Sequence, residues 1–291
     1  MKAAQFEHHE PTTVDEAVNL LENLEEPTLI AGGQSLVPMM RFRLAQPGTV
    51  VDLNRVDDLN YLREEAGYLH IGALARHSDV EESALVAEQY GSFADCAPLV
   101  ADPQIRNRGT VAGSVAQSDP KGDWGSVLLA HGGEVVAHGP DGERVIPGDE
   151  FFLLPYDNTL EEDELITELR VPVPGDREGS AYHKLKRKVG DYAMVGVAAR
   201  VELADDGTVA DAGVGMTAVD ITNARSAGAE ETLVGTEPTP EVFREAGEAA
   251  REDANPESDE HGSAEYKRQM VNALTQRALA DAVARARGEE P

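Results

Sequence analysis

The chain has 291 residues, 41% of them apolar and 27% charged, which is enough for a folded core divided between two or three modules. Its 54 acidic residues outweigh 25 basic ones, a net charge of −29 that repels nucleic acid and anionic lipid, and no apolar run reaches the ~18 residues of a membrane span. A single cysteine, Cys96, excludes an internal disulfide, a four-cysteine iron–sulfur cluster and a cysteine-built zinc site, so redox chemistry must come from an organic cofactor or a partner.

Residues 1–10, MKAAQFEHHE, lack the apolar stretch of a secretory signal, and a cytoplasmic location is the expectation. Sparse lysine with abundant Asp and Glu is the composition of salt-accumulating halophiles such as haloarchaea, so the acidity is read as serving solvation. Residues 13–24 place Val14, Ala17, Val18, Leu21 and Leu24 at helical spacing, with Thr13 and Glu16 set as a capping box. The segments 28–36, 50–54 and 68–75 read as strands, the first broken by two glycines, and a small β-α-β unit fits residues 1–55. Residues 79–100 read as helix, 110–117 as a strand with a second glycine-bearing turn, and 134–147 as a hairpin turning at Pro-Asp-Gly. A Pro/Gly segment at 172–179 marks a boundary. Beyond it an antiparallel sheet with an Asp-Asp-Gly turn precedes two helices. One starts at Pro240 with Thr239 as cap, and the other, about 264–287, repeats Tyr266, Met270, Leu274, Ala278 and Ala282 as an apolar stripe.

Two segments set glycine directly after an apolar strand: Ala31-Gly32-Gly33-Gln34-Ser35 and Thr110-Val111-Ala112-Gly113-Ser114. Glycine lets backbone N–H groups approach a phosphate, and successive N–H groups in a turn form an anion-binding nest. Taken singly, each segment reads as a β-bulge or tight strand end. Neither matches the Rossmann or P-loop pattern. Arg41 and Arg43 follow the first turn, Arg106 and Arg108 precede the second, and Lys184, Lys186, Arg187 and Lys188 precede Gly190-Asp191-Tyr192. That puts eight of 25 basic residues into three windows totalling eleven positions, a clustering read as local anion handling.

The run Ala31-Gly-Gly-Gln-Ser-Leu-Val-Pro-Met-Met, the run Ile105-Arg-Asn-Arg-Gly-Thr-Val-Ala-Gly-Ser-Val-Ala with Asp119-Pro and Asp123 downstream, and Lys184-Leu-Lys-Arg-Lys-Val-Gly-Asp-Tyr-Ala resemble the medium, FAD-binding subunit of aerobic carbon monoxide dehydrogenase and its relatives in the xanthine dehydrogenase family. The resemblance runs end to end. It implies an α+β fold: a vanillyl-alcohol-oxidase (PCMH)-type FAD-binding domain over residues 1–175, with subdomains about 1–55 and 56–175, then a C-terminal domain, 176–291, of antiparallel sheet and helices. It also implies that the backbone of Ala31, Gly32, Gly33, Gln34, Ser35 and Leu36, with Thr110, Ala112, Gly113 and Ser114, cradles the FAD diphosphate. By the same carry-over Asp123 reaches the ribityl or adenosine side with Asp119 nearby, Ile166 lines the flavin, Lys184 approaches its polar edge and Tyr192 lies beside the ring. Ala112 departs from the family, which has a glycine there, so its methyl group is expected to intrude near the diphosphate.

The resemblance implies an electron-transfer flavoprotein with no catalytic or metal-ligating residue of its own. FAD takes electrons from [2Fe–2S] clusters on a small subunit, served by a large molybdopterin subunit in an (LMS)2 heterohexamer, and yields them to a quinone or NAD. The alternatives are a stand-alone flavin oxidoreductase with a related FAD domain, or a scaffold subunit that has lost its flavin.

Overall fold

Residues 7–52 wind into a parallel three-stranded sheet ordered Glu7–His9, Thr49–Asp52, Pro27–Ile30. Between its first two strands in sequence runs the helix Val14–Asn23, whose Ala17, Val18 and Leu21 are buried. Thr13 caps it by accepting the Glu16 N–H at 3.1 Å. The Glu16 carboxylate, however, turns to the N–H (2.7 Å) and hydroxyl (2.9 Å) of Thr12, so the expected capping box closes one residue early. The computed structural model describes residues 2–291.

The second layer is a five-stranded antiparallel sheet ordered Leu62–Glu65, Tyr68–Gly72, Leu165–Pro172, Glu134–Gly139, Gly142–Pro147. The expected hairpin is here, with Gly142 at φ +101° supplying the left-handed residue of its turn. The single helix expected over 79–100 is instead three short ones, His77–Glu81, Ala84–Gln89 and Gly91–Cys96. Ser83 restarts the second by accepting the Val86 N–H at 3.3 Å, and Gly91 passes so close to the Ser180 carbonyl and the Arg285 side chain that a Cβ does not fit.

The strand expected at 110–117 is a helix, Val111–Gln117. Thr110 caps it by accepting the Gly113 N–H at 3.1 Å, and Val111, Ala112 and Val115 are its buried residues, a period of 3.6 and not 2. All eight residues of the next helix, Asp123–Ala130, are buried. It lies directly on the third sheet: a Cβ at Gly213 or Gly215, two apart on one face of a strand, would strike the carbonyls of Ala130 and Ser126.

That third sheet is antiparallel, ordered Glu178–Leu185, Val195–Leu203, Val209–Thr217, Ala224–Arg225, with Gly207 at φ +87° in the Asp-Asp-Gly turn. Three helices follow it, not two: Ala227–Leu233, Pro240–Asp253 and Ala264–Ala286. In the last, Leu274, Ala278 and Ala282 are buried as expected, but Tyr266 is 43% exposed. The inner face adds Lys267, Val271 and Thr275, because rows three and four apart both contribute to it. Arg285 ties this helix back to the earlier layers through a two-bonded contact with Asp95, at 2.7 and 2.9 Å.

The charge of −29 has a testable consequence for this fold. Raising KCl from roughly 0.1 M to 1 M shortens the screening length from about 10 Å to about 3 Å and damps self-repulsion. A rise in melting temperature of about 5–10 °C, a few kcal/mol, is expected by calorimetry. A flat or falling melting temperature would contradict this account of the charge.

Candidate functional site

The two glycine turns meet. A Cβ on Gly32 would contact the Arg108 carbonyl and come within 2.6 Å of the Gly109 Cα, so the first turn rests backbone-to-backbone on the loop leading into the second. Only glycine permits that approach. At the next position, Gly33 sits at φ +71°, the left-handed geometry that turns the chain from the strand Pro27–Ile30 into the helix Leu36–Phe42.

Between the turns opens a cavity of about 550 Å³. Small-molecule sites span roughly 300–1,000 Å³. Of the fifteen residues expected at the cofactor, all but Asp119 line it. Asp119 instead holds the neighbouring turn, accepting the Lys121 N–H at 2.9 Å, and its carboxyl is pushed above the usual range by burial.

Among the described residues, the N–H groups of Gly32, Gly33, Gln34, Ser35 and Leu36 donate to no protein acceptor, and Ser35 makes no side-chain cap. The Ala112 N–H on the facing helix is likewise free of a protein acceptor. Six N–H groups without protein acceptors thus belong to residues that line one cavity, at two helix starts, the kind of backbone donor set that suits an anion with several oxygens. Ala112 is 2% exposed and belongs to the core, so its methyl group is accommodated within the packed interior.

The clustered cations play a different part from the one expected. Only Lys184 of the eight lines the cavity. Arg106 is buried against Glu81 at 2.6 and 3.0 Å and the Val100 carbonyl at 3.1 Å, a structural pairing. Arg187 and Lys188 face Asp191 at 3.6 and 3.9 Å, and Arg43 closes the helix Leu36–Phe42 at φ +63°. Arg41 and Arg108 are exposed. The Lys184 side chain, 1% exposed, donates to Asp123 Oδ2 at 2.7 Å and to the Leu99 carbonyl at 3.2 Å. The Tyr182 phenol donates to Asp123 Oδ1 at 2.6 Å, so both Asp123 oxygens are engaged. Burial pushes the Asp123 carboxyl upward, against the pull of Lys184 and Tyr182.

Among the wall residues that sequence reasoning missed are His77 and Trp124. Their rings are nearly parallel, inclined at 17° with centroids 5.9 Å apart, and Trp124 Nε1 donates to His77 Nδ1 at 3.0 Å. That bond leaves the neutral ring's proton on Nε2. Burial, with help from Arg106 and Arg76, holds His77 down to about 4, so the ring stays neutral at ordinary pH. Tyr192 is 58% exposed at the cavity's margin.

Residues 4–174 match the model of the FAD binding domain in molybdopterin dehydrogenase, and residues 180–282 match that of the CO dehydrogenase flavoprotein C-terminal domain. This chain belongs to the FAD-binding medium-subunit family of the molybdenum hydroxylases. It is 40% identical to the carbon monoxide dehydrogenase medium chain of Hydrogenophaga pseudoflava, over 97% of this chain and 98% of that one. It is 37% identical to the nicotine 6-hydroxylase medium subunit of Paenarthrobacter nicotinovorans, over 98% and 100% of the two chains. Among solved structures, carbon monoxide dehydrogenase from H. pseudoflava superposes with a TM-score of 0.94 at 41% identity, covering 98% of this chain and 99% of that one. Quinoline 2-oxidoreductase from Pseudomonas putida 86 gives 0.91 at 29%, covering 98% and 99%. The family's cofactor is FAD, and the chain is a subunit type of dehydrogenase oxidoreductases. No helix among the described residues is long and apolar enough to cross a membrane.

Proposed function

We propose that the cavity between the two turns is the FAD site of an electron-transfer subunit. The diphosphate lies against the N–H row of residues 32–36 and the start of the helix Val111–Gln117, Ile166 lines the flavin, Tyr192 covers its outer face, and the Asp123–Lys184 pair stands in the inner wall. The observation that carries this reading is the row of five consecutive N–H groups without protein acceptors, facing a second helix start across one cavity. Bound flavin supplies the redox chemistry, and the chain supplies binding, orientation and a fixed electrostatic wall.

Electrons reach this subunit from [2Fe–2S] clusters of a small subunit, fed by a large molybdopterin subunit, and leave to a quinone or NAD. The relatives' names, medium chain and medium subunit, support a place as one component of a larger enzyme, which we take as an (LMS)2 heterohexamer in the cytoplasm. Residues 1–175 form its FAD-binding part and 176–291 its C-terminal part, a division supported by family matches that end at 174 and resume at 180.

The test is anaerobic reduction. Purified with co-expressed large and small subunits, the chain's flavin is expected to bleach when the complex's substrate is added. The same chain alone should stay oxidised. Bleaching by substrate in the isolated chain would mark a stand-alone oxidoreductase and end the subunit reading.

A further inference from the structure

The two turns are also joined from behind, by side chains outside the cavity lining. Asn54 Nδ2 donates to the Ala31 carbonyl at 2.7 Å, and Arg76 Nη2 donates to Asn54 Oδ1 at 2.6 Å. The second arm of the same guanidinium, Nη1, donates to the Arg108 carbonyl at 2.6 Å. Arg76 therefore spans two neutral acceptors, one in each loop system, and uses its planar fork to do so.

The segment carrying Arg76 is already fastened to the second turn by backbone. Val111 N–H donates to the Ala75 carbonyl at 3.1 Å and His77 N–H to the Gly109 carbonyl at 3.1 Å. The first turn has no such fastening to that segment. Asn54 is the side chain that links it, and Asn54 is itself held by Asp52, which accepts its N–H at 2.9 Å and its Nδ2 at 2.6 Å. A trans peptide points its C=O and N–H in opposite directions. Holding the Ala31 carbonyl on Asn54 thus aims the Gly32 N–H away from Asn54, and Gly32 itself lines the cavity.

We propose that Asn54 and Arg76 are positioning residues that fix the spacing of the two turns and aim the Gly32 N–H at the anionic diphosphate of FAD. Neither side chain lines the cavity, so they act through the Ala31–Gly32 and Arg108–Gly109 peptides. This rests on the reading of the cavity as the FAD site.

The test is FAD titration of the full chain, with any copurifying subunits, by flavin fluorescence quenching. Asn54→Leu is expected to raise Kd about 10–100-fold, the scale on which partners behind a binding site act. Asn54→Asp keeps the acceptor for Arg76 but loses the donor to Ala31, and should be impaired as much. Arg76→Lys keeps the charge but cannot reach both acceptors, and should leave Kd raised about fivefold or more. The double variant Asn54→Leu/Arg76→Met should be no worse than its weaker-binding single parent, because both act through one link. The melting temperature of the flavin-free chain should move little, whereas residues of merely structural importance would lower it without a matching loss of FAD affinity. Should Asn54→Leu fail to fold, Asn54→Asp and Arg76→Lys decide. Wild-type Kd in these variants, or additive losses, overturns the proposal. If Gly32→Ala also keeps wild-type FAD affinity, the cavity reading itself has failed; if Gly32→Ala loses FAD, only the link between Asn54 and Arg76 is wrong.

Discussion

Gly32→Ala is expected to yield a folded chain without bound FAD. The added methyl group points at the Arg108 carbonyl and lies within 2.6 Å of the Gly109 Cα, so two backbones must separate to admit it. Forcing a methyl group into a closed contact costs about 1–3 kcal/mol, which a domain of this size survives. The cost falls on the spacing of the two turns, and with it on every N–H aimed at the diphosphate. Two other glycines make graded comparisons. A Cβ at Gly33 meets only the ends of Ile30 and Val37, at 3.1 and 3.2 Å, so Gly33→Ala adds chiefly the strain of φ +71°, about 1–2 kcal/mol. At Gly113 a Cβ meets the Thr110 hydroxyl, so Gly113→Ala loosens the cap of the helix Val111–Gln117, about 1 kcal/mol. Gly48, with nothing within 4 Å of its Cβ position, is the control. Flavin absorbance per chain after gel filtration should fall in the order Gly48→Ala, Gly113→Ala or Gly33→Ala, Gly32→Ala, with circular dichroism near wild type throughout. Full flavin retention by Gly32→Ala would remove these turns from the cofactor site.

The parts of this site that were legible in the sequence are those built from local backbone chemistry. Glycine after an apolar strand marks a tight turn wherever it occurs, and the pair at 31–35 and 110–114 line one cavity. The helix at Val111–Gln117 was hidden because Thr110, Val111 and Val115 favour strands by propensity, and the cap from Thr110 to Gly113 is visible only once the chain is folded. The charge windows misled for a related reason. Arg106 finds Glu81, 25 positions away, and no spacing rule anticipates that partner. Asn54 and Arg76 left no motif at all, since their work is to hold carbonyls across the fold. His77 carries no signal beyond being a histidine; its meaning lies in Trp124, 47 residues on. Sequence reveals where the backbone must bend, while the side chains that brace the bend are set by the third dimension.

The largest electrostatic effect is expected at the Asp123–Lys184 pair. In isolation a lysine near the flavin reads as a cation that favours the anionic reduced cofactor. Here its ammonium meets Asp123 at 2.7 Å, with side chains 1% and 5% exposed, so the wall presents a neutral pair. Asp123→Asn removes the countercharge and leaves a buried ammonium with the Leu99 carbonyl, at 3.2 Å, as its remaining hydrogen-bond partner among the original acceptors. Breaking a buried pair in this way costs about 3–5 kcal/mol. Lys184→Met leaves a carboxyl that burial already pushes upward, held only by the Tyr182 phenol, and should cost a similar amount. The double variant Asp123→Asn/Lys184→Met should recover much of the loss, since it buries no unpaired charge. The flavin potential separates this from ordinary destabilisation. An uncompensated cation beside the ring stabilises the reduced state; each ~1.4 kcal/mol of that preference is about 30 mV for a two-electron couple. Asp123→Asn is therefore expected to raise the midpoint potential by about 30 mV or more, with the double variant near wild type. If instead the melting temperatures drop while the potential stays fixed in all three variants, the pair braces the fold without facing the flavin, and the inner wall of the site must be drawn elsewhere in the cavity.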